Sequence, residues 1–178
     1  MTTPPTGTFD IDTAHSVLGF SVRHAGVARV RGTFTAFSGT LVVAEDFAES
    51  TVSVDIESAS VDTGQPGRDE HLRSADFWHA EENPAWTFRT TSVEGSGQEF
   101  VVNGDFTANG VTKPVALEAA YHGSTTGPDG KLRLGFSAET SISRKDFDLT
   151  WNVAMEGGGV LVGDKVKIEL DVAAVGQG

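Results

Sequence analysis

The feature that most constrains this chain is a two-residue alternation of apolar and polar side chains that returns in segment after segment. Leu18, Phe20, Val22 and His24 share one face against Gly19, Ser21 and Arg23, while Val30, Gly32, Phe34 and Ala36 oppose Arg29, Arg31, Thr33 and Thr35. The same spacing groups Val52, Val54 and Ile56, then Trp86, Phe88 and Thr90, then Phe100, Val102, Gly104 and Phe106, then Val115, Leu117 and Ala119. It runs longest over Leu132, Leu134, Phe136, Ala138, Thr140 and Ile142 and closes with Val166, Ile168, Leu170 and Val172. Successive side chains of a strand point to opposite faces, so each segment reads as a β-strand with one apolar face. At least eight such strands are present.

The punctuation agrees. Glycine occurs 21 times and proline six, with no low-complexity tract, as expected of turns between short strands. Asn109-Gly110 is the commonest short hairpin signal. One segment breaks the period: Gly67 to Ser74, after Pro66, reads as a short helix whose Asp69 and Arg73, four residues apart, would form an exposed ion pair. Many amphipathic antiparallel strands with one short helix insertion leave two all-β architectures, a closed barrel or a two-sheet sandwich. A length of 178 residues suits a single domain spanning residues 1–178, with about the first eight residues expected to be flexible.

Composition removes several kinds of chemistry. The chain has no cysteine, which excludes thiol nucleophiles, disulfides and thiolate metal sites. A net charge of −12 opposes a polyanion, so nucleic acid is not an expected partner. The charge is uneven: residues 1–40 carry three arginines and two aspartates, leaving a local positive site near the first strands. The five histidines, His15, His24, His71, His79 and His122, include no i,i+4 pair, so no metal and no cofactor is expected. There is no Gly-x-Ser-x-Gly elbow, and Gly157-Gly158-Gly159 lacks the Gly-Lys-Ser/Thr of a phosphate loop. Without a basic and apolar leader or a run of ~18 apolar residues, the expectation is a cytoplasmic protein that is not integral to a membrane.

An eight-stranded barrel either fills its interior with side chains or holds one apolar ligand, and alternation alone allows both. Two basic groups border the apolar rows: His24 ends the Leu18–Val22 row, and Arg144 follows the Phe136–Ile142 row. Each could meet a polar head group. Equally, His24 could be a hydrogen-bonded strand-end residue, and Arg144 could pair with Asp146 or cap a turn.

The order of motifs resembles the YceI-like family, the lipid-binding or polyisoprenoid-binding proteins of bacteria. The stretches that carry the resemblance are His15 to His24, Val30 to Phe34, Phe37 to Gly39, Arg68 to Phe77, Gly110 to Val115, Ser143 to Phe147, Trp151-Asn152 and Gly159 to Asp164. They run in family order from about Asp10 to Val172. Asp148 departs from the pattern, where the family often has glycine, and so does Ala28, where it often has a small hydroxyl residue.

The resemblance implies an extended lipocalin-like antiparallel β-barrel, often dimeric, whose elongated apolar cavity holds an isoprenoid, quinone-like or fatty amphiphile. It implies no catalytic residues, and many of its members are periplasmic. On that reading Leu18, Phe20, Val22, Phe34, Val52, Val54, Ile56, Phe88, Leu117, Phe136 and Ala138 line the tail site, with His24 and Arg144 near the head. The rival readings are an enzyme acting on such a lipid, with His71, His79, Glu81 and Glu82 as acid–base groups, and a structural barrel with a filled core.

Overall fold

The computed structural model describes residues 3–178. Its strands are β1 (Gly7–Ile11), β2 (Val17–His24), β3 (Ala28–Phe34), β4 (Phe37–Val43), β5 (Thr51–Glu57), β6 (Val61–Asp62), β7 (Ala85–Ser96), β8 (Glu99–Ala108), β9 (Val111–Thr126), β10 (Leu132–Ser143) and β11 (Val162–Gly176). Among the described residues the single α-helix, α1, spans Pro66–Arg73. No helix of the described residues is long and apolar enough to cross a membrane.

Eight strands close an antiparallel ring in the order β1, β4, β5, β7, β8, β9, β10, β11 and back to β1. Strand β11 makes this possible by pairing with two partners along one edge: Ala174 to Gly176 face β1, and Val162 to Asp171 face β2. β1 and β2 are therefore two halves of one interrupted strand. β4 with β3, and β5 with β6, repeat the device on the next two positions. The first interruption is written locally: the Asp12 carboxylate accepts the Ala14 N–H and caps a turn at Thr13–His15.

The barrel is thus closed through β1 and splayed through β2, β3 and β6. Over the splayed half lie α1 and the segment 144–161, joined where Trp151 packs against His71 and Phe77 at ring separations of 4.8 and 5.2 Å. This decides between the two expected architectures in favour of the barrel. Asn109 and Gly110 take φ of 52° and 73°, as a two-residue hairpin between β8 and β9 requires. Asp148 also adopts a left-handed conformation, φ 57°, which explains why glycine suits that position and why aspartate is tolerated there.

Two local expectations change. Strand β1 begins at Gly7 and is paired on both sides, so order reaches into the segment expected to be flexible; Met1 and Thr2 lie outside the described residues. The ion pair expected between Asp69 and Arg73 does not form. Asp69 is buried and accepts from the N–H and Oγ1 of Thr63, while Arg73 Nε donates to the Ala59 carbonyl. The loop from β6 into α1 leaves the Thr63 amide without a ladder partner, and the nearest helix carboxylate supplies the acceptor.

Two apolar clusters fill the ends. At the closed end Phe9, Ile11, Leu41, Val43, Tyr121, Leu134 and Ala174 form a tight plug. At the splayed end an aromatic cluster includes Phe34, Phe77, Trp78, Trp86, Phe106 and Phe147. Its density needs room: at Gly32, which faces Phe20 across the β2–β3 ladder, a Cβ would lie 2.4 Å from the Phe20 ring.

Candidate ligand-binding cavity

Between the two clusters the inward faces do not fill the barrel. Phe20, Val22, Val52, Val54, Ile56, Leu117, Phe136 and Ala138 point to the interior yet remain only half-buried. The surface they retain borders a cavity of about 390 Å³, within the usual ~300–1,000 Å³ range of small-molecule sites. Along β11 the wall extends from Val162 to Val172. At ~3.3 Å per residue and a strand tilt of ~40°, that corresponds to roughly 25 Å along the barrel axis.

All thirteen residues singled out from the sequence lie on this wall: Leu18, Phe20, Val22 and His24 from β2, Phe34 from β3, Val52, Val54 and Ile56 from β5, Phe88 from β7, Leu117 from β9, Phe136 and Ala138 from β10, and Arg144 just beyond β10. Eleven of them come from the alternation, since side-chain direction along a strand is local geometry. The rest of the wall at the splayed end comes from segments without that period, including Arg68, Leu72, Phe77, Leu149, Trp151 and Leu161. The one signal that reaches them is the resemblance, whose stretches cover Arg68 to Phe77 and Trp151-Asn152.

The polarity of the wall is one-sided. Arg23, His24, Arg68 and His71 come together where the β2–β3 hairpin, α1 and the loop after β10 meet, while the far end is capped by the apolar plug. Arg68 is held by Thr63, its Nε donating to Oγ1 at 2.7 Å and its terminal nitrogen to the carbonyl at 2.9 Å. His71 Nε2 lies 2.8 Å from Asp76 Oδ2. His24 is exposed at the end of β2, and its ring makes no hydrogen bond among the described residues. Higher in the aromatic cluster, the indole N–H groups of Trp78 and Trp86 are buried without an oxygen acceptor, their rings 5.0 Å apart.

Arg144 plays a different part from the head-group role considered above. It is only 4% exposed, and its guanidinium donates to four backbone carbonyls: Gly163, Leu149, Trp151 and Val162, at 2.9, 2.6, 3.0 and 3.3 Å. Nor does it pair with Asp146. Burial lowers the pKa of its guanidinium, and the charge of Asp164 opposes that shift in part. Asp164 is itself held below the ordinary aspartate range by the Ser143 hydroxyl and the Lys145 N–H. The group rivets the loop at Leu149 and Trp151 to the start of β11 at Val162 and Gly163, because one guanidinium offers several donors at once.

The acid–base set of the enzymatic reading does not converge. His71 borders the cavity with Asp76, whereas His79 lies 3.5 Å from Glu82 on the loop before β7 and is absent from the wall. Glu81 and Glu82 are exposed. Among the described residues no group of three or more His, Asp or Glu side chains is arranged to hold a metal ion.

Comparison with known proteins is consistent across the chain. The protein is 44% identical over 141 residues to Protein YceI of Escherichia coli O157:H7, an overlap covering 79% of this chain and 74% of that protein. The crystal structure of BcnA from Burkholderia cenocepacia shares the fold with a TM-score of 0.78 at 20% identity, over 92% of this chain and 98% of that one. A polyisoprenoid binding domain from Saccharophagus degradans does so with a TM-score of 0.69 at 13% identity, over 97% and 99%. Residues 9–174 match the YceI-like domain, and the chain belongs to the YceI-like family.

Proposed function

We propose that this protein binds a long lipophilic molecule, an isoprenoid, quinone-like or fatty amphiphile, inside the barrel and stores or carries it without chemical change. The observation that carries the reading is the half-buried apolar wall around a 390 Å³ cavity with its basic groups at one end only. A filled core would bury Phe20 and Phe136 fully. An apolar tail placed there gains ~0.8 kcal/mol for each buried CH₂ before the cost of ordering the chain, and it restores contacts that the empty wall lacks. The neighbour named as a polyisoprenoid binding domain supports the same class of ligand.

The scattered positions of His71, His79, Glu81 and Glu82 support a noncatalytic role. Native mass spectrometry of freshly purified protein, followed by organic extraction and titration with a fluorescent polyene or prenyl probe, tests the reading. Recovery of a long-chain amphiphile unchanged after incubation is the expected result. An empty protein that also takes up no probe at micromolar concentration overturns the carrier reading, and turnover of the bound molecule overturns the noncatalytic one.

A further inference from the structure

We infer that the β2–β3 side of the barrel, next to the basic end of the cavity, is a docking surface for an anionic lipid bilayer. The inference goes beyond the cargo reading, and its test can fail while that reading stands.

The first observation is a cluster of cations, among them three arginines outside any ion pair of the described residues, on a protein of net charge −12. The ladder sets Arg23 directly opposite Arg29 and Ser21 opposite Arg31, and Lys167 of β11 is in register with Ser21. Lys165 lies two residues from Lys167, on the same outer face of β11. Arg23, Arg29 and Arg31 are exposed and take part in no ion pair among the described residues. Like charges directly opposite on adjacent strands destabilise a sheet. The chain has 25 Asp and Glu residues, and among the described residues none lies within ion-pair distance of these arginines. Nearby Asp164 is occupied with Ser143 and the Lys145 N–H, and the carboxylates of Glu139 and Glu169 approach Lys167 only.

The second observation is apolar and adjoins the first. Val27, at the tip of the β2–β3 hairpin, is 85% exposed. The Ala25 N–H donates to the Leu161 carbonyl at 2.7 Å, which seats a second small hairpin alongside, closed by the Ala154–Val160 bridge and turned by Gly157, Gly158 and Gly159 at positive φ. Val153 and Val160 on this hairpin are about half exposed. Exposed valines beside a basic face have the composition of a peripheral membrane contact, in which apolar tips enter the interface and cations meet anionic head groups. The other face of β2 is the cavity wall, and Arg23 and His24 belong to both. A bilayer against this side therefore stands at the basic end of the apolar cavity.

Sedimentation of the intact protein with vesicles of phosphatidylcholine alone, or mixed equally with phosphatidylglycerol, tests the inference. The expected result is binding to the mixed vesicles only, lost at high salt. Replacing Arg29 and Arg31 together by glutamine should lower the partition coefficient about thirtyfold, from ~1 kcal/mol per arginine at tenfold per 1.4 kcal/mol. Arg29→Lys with Arg31→Lys should retain most of the binding, and Val27→Asp should weaken it without changing the thermal midpoint. Equal binding of the glutamine variant, no binding to mixed vesicles, or equally tight binding to soluble polyglutamate unaffected by Val27→Asp overturns it. Uptake of a soluble polyene probe, measured without vesicles, reports on the cavity separately.

Discussion

Replacing Arg144 by alanine removes four hydrogen bonds from backbone carbonyls in one step. A hydrogen bond from a charged donor contributes ~1.5–3 kcal/mol, but the loop carbonyls can partly recover water once the side chain is gone. A buried acceptor left unsatisfied costs ~1–3 kcal/mol, so with partial rehydration we expect a net loss of roughly 3–5 kcal/mol for the four together. For a chain of this size each kcal/mol lowers the midpoint by ~2–4 °C, so the fall should be on the order of 10 °C. Calorimetry and urea denaturation measure it directly. Arg133→Ala serves as the control: Arg133 pairs with Asp129 at the exposed β9–β10 turn, and its loss should leave the midpoint nearly unchanged. Arg144→Lys should recover only part of the stability, because an ammonium cannot reproduce the guanidinium fork. Binding discriminates the two roles. If Arg144 holds the rim, its alanine variant weakens an anionic prenyl probe and a neutral tail analogue by the same factor. Selective loss of the anionic probe, with the midpoint unchanged, would refute the rivet and restore a head-group role.

Three further outcomes follow from the same geometry. Phe136→Leu should cost less than ~1.5 kcal/mol and alter tail affinity, whereas Phe136→Asp sets an unpaired carboxylate in the apolar wall and should abolish probe uptake; a folded Asp variant that still takes up the probe argues against the cavity as the site. Gly32→Ala forces the Phe20 ring, 2.4 Å from the new Cβ, to move, and should cost ~1–3 kcal/mol and reduce uptake of the longest probe first; unchanged melting would disprove the close approach. Asp164 has a depressed pKa when folded, so its contribution is complete above the ordinary aspartate value near ~4 and is lost as pH falls through the lower folded value. Asp164→Asn should therefore flatten the decline of the midpoint below about pH 4, and identical acid profiles for the two proteins would contradict this.

The inward faces were legible in the sequence because the direction of a strand side chain depends only on parity, so Phe20, Val54, Phe88 and Phe136 could be assigned to one surface before any pairing was known. The Asn109-Gly110 turn and the helix after Pro66 were legible for the same local reason. Composition likewise removed thiol chemistry without a structure. Whether those faces met in a filled core or around a cavity was a different matter, since it depends on how many strands close the ring and how far β11 runs past β1 to take up β2. Those are contacts between residues more than a hundred positions apart, such as Phe9 with Gly176. The basic end of the cavity was least legible. Arg68, His71 and Trp151 come from a helix and a loop with no shared period, and only the tertiary fold brings them together. Arg144 shows the limit most plainly: an arginine after an apolar strand can read a ligand or hold a loop, and the sequence is the same in both cases. Tertiary structure decided between them by placing four backbone carbonyls within reach of one guanidinium, which makes burial of that charge cheaper with the loop folded than without it.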